Sequence, residues 1–275
     1  MKNNHRYRIK NLPKTLCLLL SCVVVLISCN LSGNKNGKLK FNPVLNKVYH
    51  FSLTKYSVKS WTYQSIPCKI PDTVYLDFSL LATRNTDTSV TCSLKWNRFT
   101  WGGTHAVNYI RDSLRALSTT AVLSDSGKVI YVQDMSNVLL DIESDGTTGK
   151  YLSGVIPDQL SQDAVTDMLN RIFSVIPAKQ VKPGDSWIRD ITLITNHPVE
   201  MSNFNMLKSL NSDTAEIEMQ SHFFARQSVG YDPYIQGNLT GTAIISHATG
   251  IPYSYKTQSE TATWDLKLEQ DDEKN

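Results

Sequence analysis

From Val48 onward, apolar and polar positions alternate with period two. Tyr49, Phe51 and Leu53 fall on one side, and His50, Ser52 and Thr54 on the other. The same alternation returns in Val74, Leu76, Phe78 and Leu80, and again in Val90, Cys92, Leu94 and Trp96. Successive residues of a strand point to opposite faces, so this pattern predicts antiparallel strands with one buried face. The Asn85-Thr86-Asp87 turn joins the second and third strands as a hairpin, and Asp125-Ser126-Gly127 precedes another strand at Lys128–Val132.

The period then changes to that of a helix. After Pro157-Asp158, a start signal, Leu160, Ala164, Val165, Met168, Leu169, Ile172, Phe173 and Ile176 form one stripe, and Pro177 ends it. Gln159, Gln162, Asp163, Thr166, Asp167 and Asn170 are expected on the solvent side. A membrane-surface helix would carry Lys and Arg there, so this one is expected to pack on the sheet. A weaker helical pattern covers Met135–Ile142.

Period two resumes beyond the Lys182-Pro183-Gly184-Asp185 turn, starting at Trp187. It runs through Ala215, Ile217 and Met219, then Leu239, Ala243 and Ile245, then Tyr253 and Tyr255 after the Ala248-Thr249-Gly250 turn. Its phase flips at Ala262, Trp264, Leu266 and Leu268, which suggests a bulge or a strand leaving one sheet for another. The expected fold is α+β and mainly β. It is a strongly curved antiparallel sheet, a half-barrel or barrel-like, with an amphipathic helix (about 157–176) on one face. One domain would occupy residues 41–270, followed by a charged tail at 271–275.

The first residues add an address. Lys2, Arg6, Arg8, Lys10 and Lys14 precede an apolar run from Leu16 to Ile27, and no acidic residue intervenes. That is a signal-peptide layout, too short for a spanning helix. It ends in Leu26-Ile27-Ser28-Cys29, which resembles a bacterial lipobox with residues 1–28 removed and Cys29 lipidated. Residues 29–40, rich in Asn, Gly and Lys, would be a flexible tether. Asn30 is not the Asp that resembles an inner-membrane retention signal, so the resemblance implies the outer membrane of a Gram-negative envelope. No acidic cluster follows Cys29, which leans the expectation to the periplasmic face.

Charge and cysteines refine this picture. The leader holds five of the 28 basic residues, so the mature chain is slightly acidic and nucleic acid is not an expected partner. Cys17 and Cys22 leave with the leader, which makes Cys68 and Cys92 a candidate disulfide in an oxidising compartment; two separate buried thiols are the alternative. Such a bond would close a loop of roughly 25 residues, worth about 3 kcal/mol.

Several motifs fail on context. Gly184-Asp185-Ser186-Trp187 resembles a GDS-type esterase nucleophile, but a strand pattern follows the serine and no Asp-x-x-His lies downstream. Gly146–Lys150 lacks the first glycine of a phosphate loop. Asp141, Glu143 and Asp145 have calcium-loop spacing, but Leu152 stands where the bidentate Glu belongs. The histidines show no metal-ligand spacing, so neither catalytic residues, metal nor cofactor is expected.

Three features together resemble an uncharacterised family of Gram-negative envelope lipoproteins, a domain of unknown function. They are the lipobox, Val181-Lys182-Pro183-Gly184-Asp185-Ser186-Trp187, and the late Gly237–Gly241 and Ala248–Pro252 stretches. That family implies no activity and no catalytic residues. A looser architectural likeness is to lipoprotein-carrier and lipocalin-type folds, which wrap a curved sheet around an apolar cavity. The expected function is a non-enzymatic, lipid-anchored binding module. Its partners would be the membrane through Cys29 and an apolar small molecule or envelope protein. Phe51, Phe78, Leu94, Trp96, Met219 and Tyr253 would line the apolar face. The alternative is a structural or protein-interaction lipoprotein whose core is simply filled.

Overall fold

The computed structural model describes residues 38–63, 66–101, 118–134, 160–194, 198–225, 236–259 and 262–269. The leader with Cys29, the 135–142 and 141–152 motifs, the Pro157-Asp158 start and the 271–275 tail lie outside the described residues.

Among the described residues, eleven strands and one helix follow one another as β1 (Val48–Tyr63), β2 (Ile66–Asn85), β3 (Ser89–Trp101), β4 (Ser118–Ser124), β5 (Val129–Val132), α1 (Gln162–Phe173), β6 (Ser186–Leu193), β7 (Val199–Leu210), β8 (Thr214–Ala225), β9 (Gln236–Ser246), β10 (Pro252–Gln258) and β11 (Ala262–Glu269). The strands form one antiparallel sheet in the order β5-β4-β3-β2-β1-β11-β10-β9-β8-β7-β6. The first meander runs outward from β1 to β5. The second runs inward from β6 to β11 and closes on β1. Chain order therefore puts α1 between the two free edges, and the helix packs against β5, β6 and β10. The mainly β, curved-sheet expectation with a helix is met; the sheet remains open.

Partners in an antiparallel ladder share a face, so the register yields continuous inner rows. One row joins Leu207, Ile217, Ala243, Tyr255, Leu266, Leu53, Leu76 and Phe99 across eight strands, and all are buried. Beside it Phe51 stacks on Phe78 at 5.1 Å, and Phe78 tilts against Trp96 at 5.7 Å between ring centroids.

The structure corrects the sequence pattern in two places. The phase change before β11 is not a strand leaving the sheet, because Leu266 pairs with both Tyr255 and Leu53 in the same sheet. Instead a register irregularity between Pro252 and Ser254 turns Tyr253 outward while Tyr255 stays inside. Among the described residues the helix runs from Gln162 with Ser161 as its N-cap, whose side chain accepts a bond from the Ala164 amide at 3.2 Å. Lys38–Lys40, expected to end a flexible tether, are docked as part of a strap. The Phe41 amide donates to the Asp125 carbonyl at 2.7 Å and the Asn42 amide to the Thr249 carbonyl at 2.8 Å. Leu39 and Phe41 are buried, and the Phe41 ring lies 4.6 Å from that of Phe173. Gly250 has φ +67°, and a Cβ there would collide with the Lys40 carbonyl, so the turn and the strap fit only without a side chain.

Candidate functional site

The open seam between β5 and β6 gathers a set of partly buried polar groups. An edge strand carries unpaired amides and carbonyls that must be bonded, covered or left to a partner. On the β5 side the helix does the bonding. The Val129 amide donates to Asn170 Oδ1 at 3.2 Å, and Gln162 Nε2 donates to the Val132 carbonyl at 2.9 Å. Where β6 ends, the Ile194 amide donates to both oxygens of Asp167, at 2.9 and 3.0 Å. Gln162, Asp167 and Asn170 were expected to face solvent; the Gln162 amide N–H, the Asn170 carbonyl and the Asp167 carboxylate instead bond the backbone at the strand edges. Asp167 also stabilises the partly buried Arg171 cation, whose pKa burial lowers and whose neighbours Tyr255 and Asp167 raise.

The rest of β6 is not capped in this way. A slot of about 490 Å³ runs along its outer edge over Ile188, Arg189, Asp190, Ile191 and Thr192, opposite Gly127, Lys128, Asn170 and Ser174. Among the described residues, no strand lies on that side of β6. Arg189 reaches across the seam and donates from its guanidinium to the Ser126 carbonyl at 3.1 Å; burial lowers its pKa. Ile188 points away from the core and is 62% exposed.

Behind the slot the inner face turns polar. Trp187 pairs with Asn205 and Arg189 with Asn203 in the register. Asn203 and Asn205 are buried; Asn203 Nδ2 donates to Ser174 Oγ at 3.0 Å, and Asn205 Nδ2 to the Asn203 carbonyl at 3.3 Å. Among the described residues, Trp187 Nε1, Asn203 Oδ1 and Asn205 Oδ1 find no hydrogen-bond partner. Orphaned buried groups of this kind each carry a penalty of about 1–3 kcal/mol. Their grouping marks the least comfortable part of the interior. The sequence pattern missed it because Asn203 and Asn205 occupy inward positions where only apolar residues were sought.

The six residues expected to form an apolar ligand face separate. Phe51, Phe78, Leu94, Trp96 and Met219 belong to the packed core. Tyr253 is outside it, lining a cavity of about 440 Å³ with Val44, Val48, Tyr49, Ile251 and Leu268.

The candidate disulfide is corrected. Cys92 is a free, buried thiol. It pairs with Ala82 of β2, whereas Cys68 pairs with Trp61 at the distal end of the same strand. That separation is roughly 45 Å of strand at about 3.3 Å per residue, far beyond the ~7 Å limit between Cα atoms of a disulfide.

Burial pushes the Cys92 thiol from 9.0 up to about 12. A folded-state pKa raised above the unfolded value stabilises the fold below the unfolded pKa and is lost as pH rises through the folded one. Stability is therefore expected to fall by up to about 4 kcal/mol between pH 9 and 12 on this account. Urea titrations at pH 8 and pH 10.5 check it: Cys92→Ala should show a shallower alkaline loss than wild type, and an equal slope would exclude the thiol as its source.

The remaining candidates read structurally. Asp185 closes the Lys182–Asp185 turn, accepting from the Lys182 amide at 3.0 Å, and Ser186 is exposed at the start of β6. His50, His222 and His247 bond to Ser79, Asn238 and the Asn211 carbonyl, each at 3.0 Å. Among the described residues, no cluster of three or more metal-ligating side chains occurs.

Among the described residues, one open, curved antiparallel sheet with a helix between its two free edges defines the class of this protein. Residues 103–252 match a family of unknown function (DUF6263), and the chain belongs to that family. No curated protein matches it. Among solved structures, lipovitellin, described by its lipid–protein interactions, is similar over 82% of this chain, with 10% identity and a TM-score of 0.39. The chain spans 25% of that lipovitellin chain, and so distant a likeness carries no functional argument.

Proposed function

We propose that this protein is a lipid-anchored lipoprotein of the Gram-negative envelope, held by Cys29 on the periplasmic face of the outer membrane. It acts as a non-enzymatic binding module that takes an extended partner segment along β6. The supporting observation is the asymmetry of the seam: β5 is capped by helix side chains, while β6 leaves a slot over five consecutive residues. Strand addition to a free sheet edge draws affinity from main-chain bonds and specificity from alternate side chains. Ile188 and Asp190 on one face and Arg189 on the other would supply that alternation. The packed inner face favours a partner segment over an enclosed apolar molecule.

A photoreactive amino acid placed at Ile188 in cells is expected to trap a discrete protein adduct. The same group at Tyr75, exposed on β2 away from the seam, should not. Equal trapping at both positions would defeat the β6 reading. Native mass spectrometry of the extracted lipoprotein is expected to show the acylated chain without a further bound lipid; a stoichiometric lipid would return the argument to an apolar ligand.

A further inference from the structure

The strap places the start of the described chain at the end of the sheet where the β4–β5 and β9–β10 turns lie. Immediately after it, a turn with Asn46 at φ 61° exposes Val44 and Leu45. Val48 and Tyr253 stand beside them. These four are 53%, 46%, 39% and 37% exposed, and three of them line one cavity of about 440 Å³ with Tyr49 and Lys47. The Lys47 ammonium lies 5.5 Å from the Tyr49 ring centroid. Contiguous exposed apolar side chains of this kind need an occupant.

We infer that the face bearing Val44, Leu45, Val48 and Tyr253 rests on the bilayer that holds the Cys29 lipid. The inference depends on the proposed anchorage and adds an orientation to it. Cys29 precedes Lys38 by nine residues, which at ~3.3–3.6 Å per residue can span no more than about 30 Å. The strap, and with it the apolar turn, cannot stand farther than that from the lipid. Val and Leu side chains in the acyl boundary, with Tyr and Lys at headgroup level, form the side-chain chemistry of an interfacial contact. The lipid and the patch then act as two linked attachments, the second made intramolecular by the first. In this orientation the β4–β5 and β9–β10 turns face the membrane.

The test reconstitutes the full mature lipoprotein into phosphatidylethanolamine and phosphatidylglycerol vesicles that carry a diazirine on one acyl chain. Labelled sites are mapped by mass spectrometry, and acylation at Cys29 is read from the N-terminal peptide. Label is expected several-fold higher on the peptides with Val44–Val48 and Tyr253 than on those with Ile188 or with Phe224, which is exposed at the opposite end of the sheet. Joint Val44→Asp and Leu45→Asp substitution should remove most of it while the chain still floats with the vesicles. An acylated, floating chain labelled equally at Ile188, or not at all, overturns the orientation and leaves the anchor standing. An unacylated Cys29 in a chain that does not float overturns the anchor and the inference together.

Discussion

Asp167→Ala lowers the unfolding free energy by about 3 kcal/mol or more, the expected result of removing one member of a buried charged pair. Asp167 is 5% exposed, and both its oxygens accept the Ile194 amide at the end of β6. Its charge also favours the Arg171 cation one turn farther along the same helix. Alanine leaves a strand-end amide without its acceptor and a partly buried guanidinium without its compensating charge. Asp167→Asn keeps an acceptor but not the charge, so its loss should fall between wild type and alanine. Urea denaturation followed by far-ultraviolet circular dichroism provides the comparison. A loss below about 1 kcal/mol for the alanine variant, the range of an exposed pair, would show that the helix is not held to β6 in this way.

Trp96→Ala has the second large effect, about 3–5 kcal/mol, from lost burial and the cavity left behind. Trp96 is fully buried beside Phe78 in the row that also contains Phe51. Among the described residues the indole Nε1 has no hydrogen-bond partner, so the tryptophan carries a desolvation penalty along with its packing. Trp96→Phe removes that orphan donor while retaining a ring, and its loss is expected below about 1.5 kcal/mol, the range of shape-conserving core changes. Equal losses for the two variants would mean that the indole bicycle, and not ring packing in general, holds this row together.

The two variants probe different legibility. Trp96 was visible as part of Val90-x-Cys92-x-Leu94-x-Trp96, because alternation states directly which side of a strand is apolar. What alternation does not state is whether an apolar side faces a ligand or the opposite wall of the same sheet. Phe51 and Phe78 read identically in either case, and their mutual stacking decides it. Asp167 shows the converse. Helical periodicity separates polar from apolar positions, and water is the usual partner of the polar ones. Here the chain path carries α1 across the gap between two sheet edges, so three of those polar residues meet backbone groups instead.

Tyr253 and Tyr255 differ by two residues and should share a face. The irregularity at Pro252–Ser254 separates them, and only strand pairing reveals it. The strap was illegible for another reason. Leu39 and Phe41 are too few to display a period, yet both are buried because the turns at Asp125 and Thr249 supply their backbone partners.

By itself, the sequence determined most of the strands and their buried faces, though not β7 or the outward side of Tyr253, together with the hairpin turns at Asn85–Asp87 and Asp125–Gly127 and the apolar stripe of the helix. These follow from local geometry, the two-residue and 3.6-residue repeats and the turn chemistry of Gly, Asn and Asp. Tertiary structure alone decided that the sheet stays open, that the helix bonds β5 and the end of β6 while a slot runs along the rest of β6, that Cys68 and Cys92 lie far apart, and that among the described residues Asn203 and Asn205 face inward without full partners. Each depends on which distant strands pair and where the final edges meet. Those long-range contacts are set by the competition of whole packing arrangements, and no local period records their outcome.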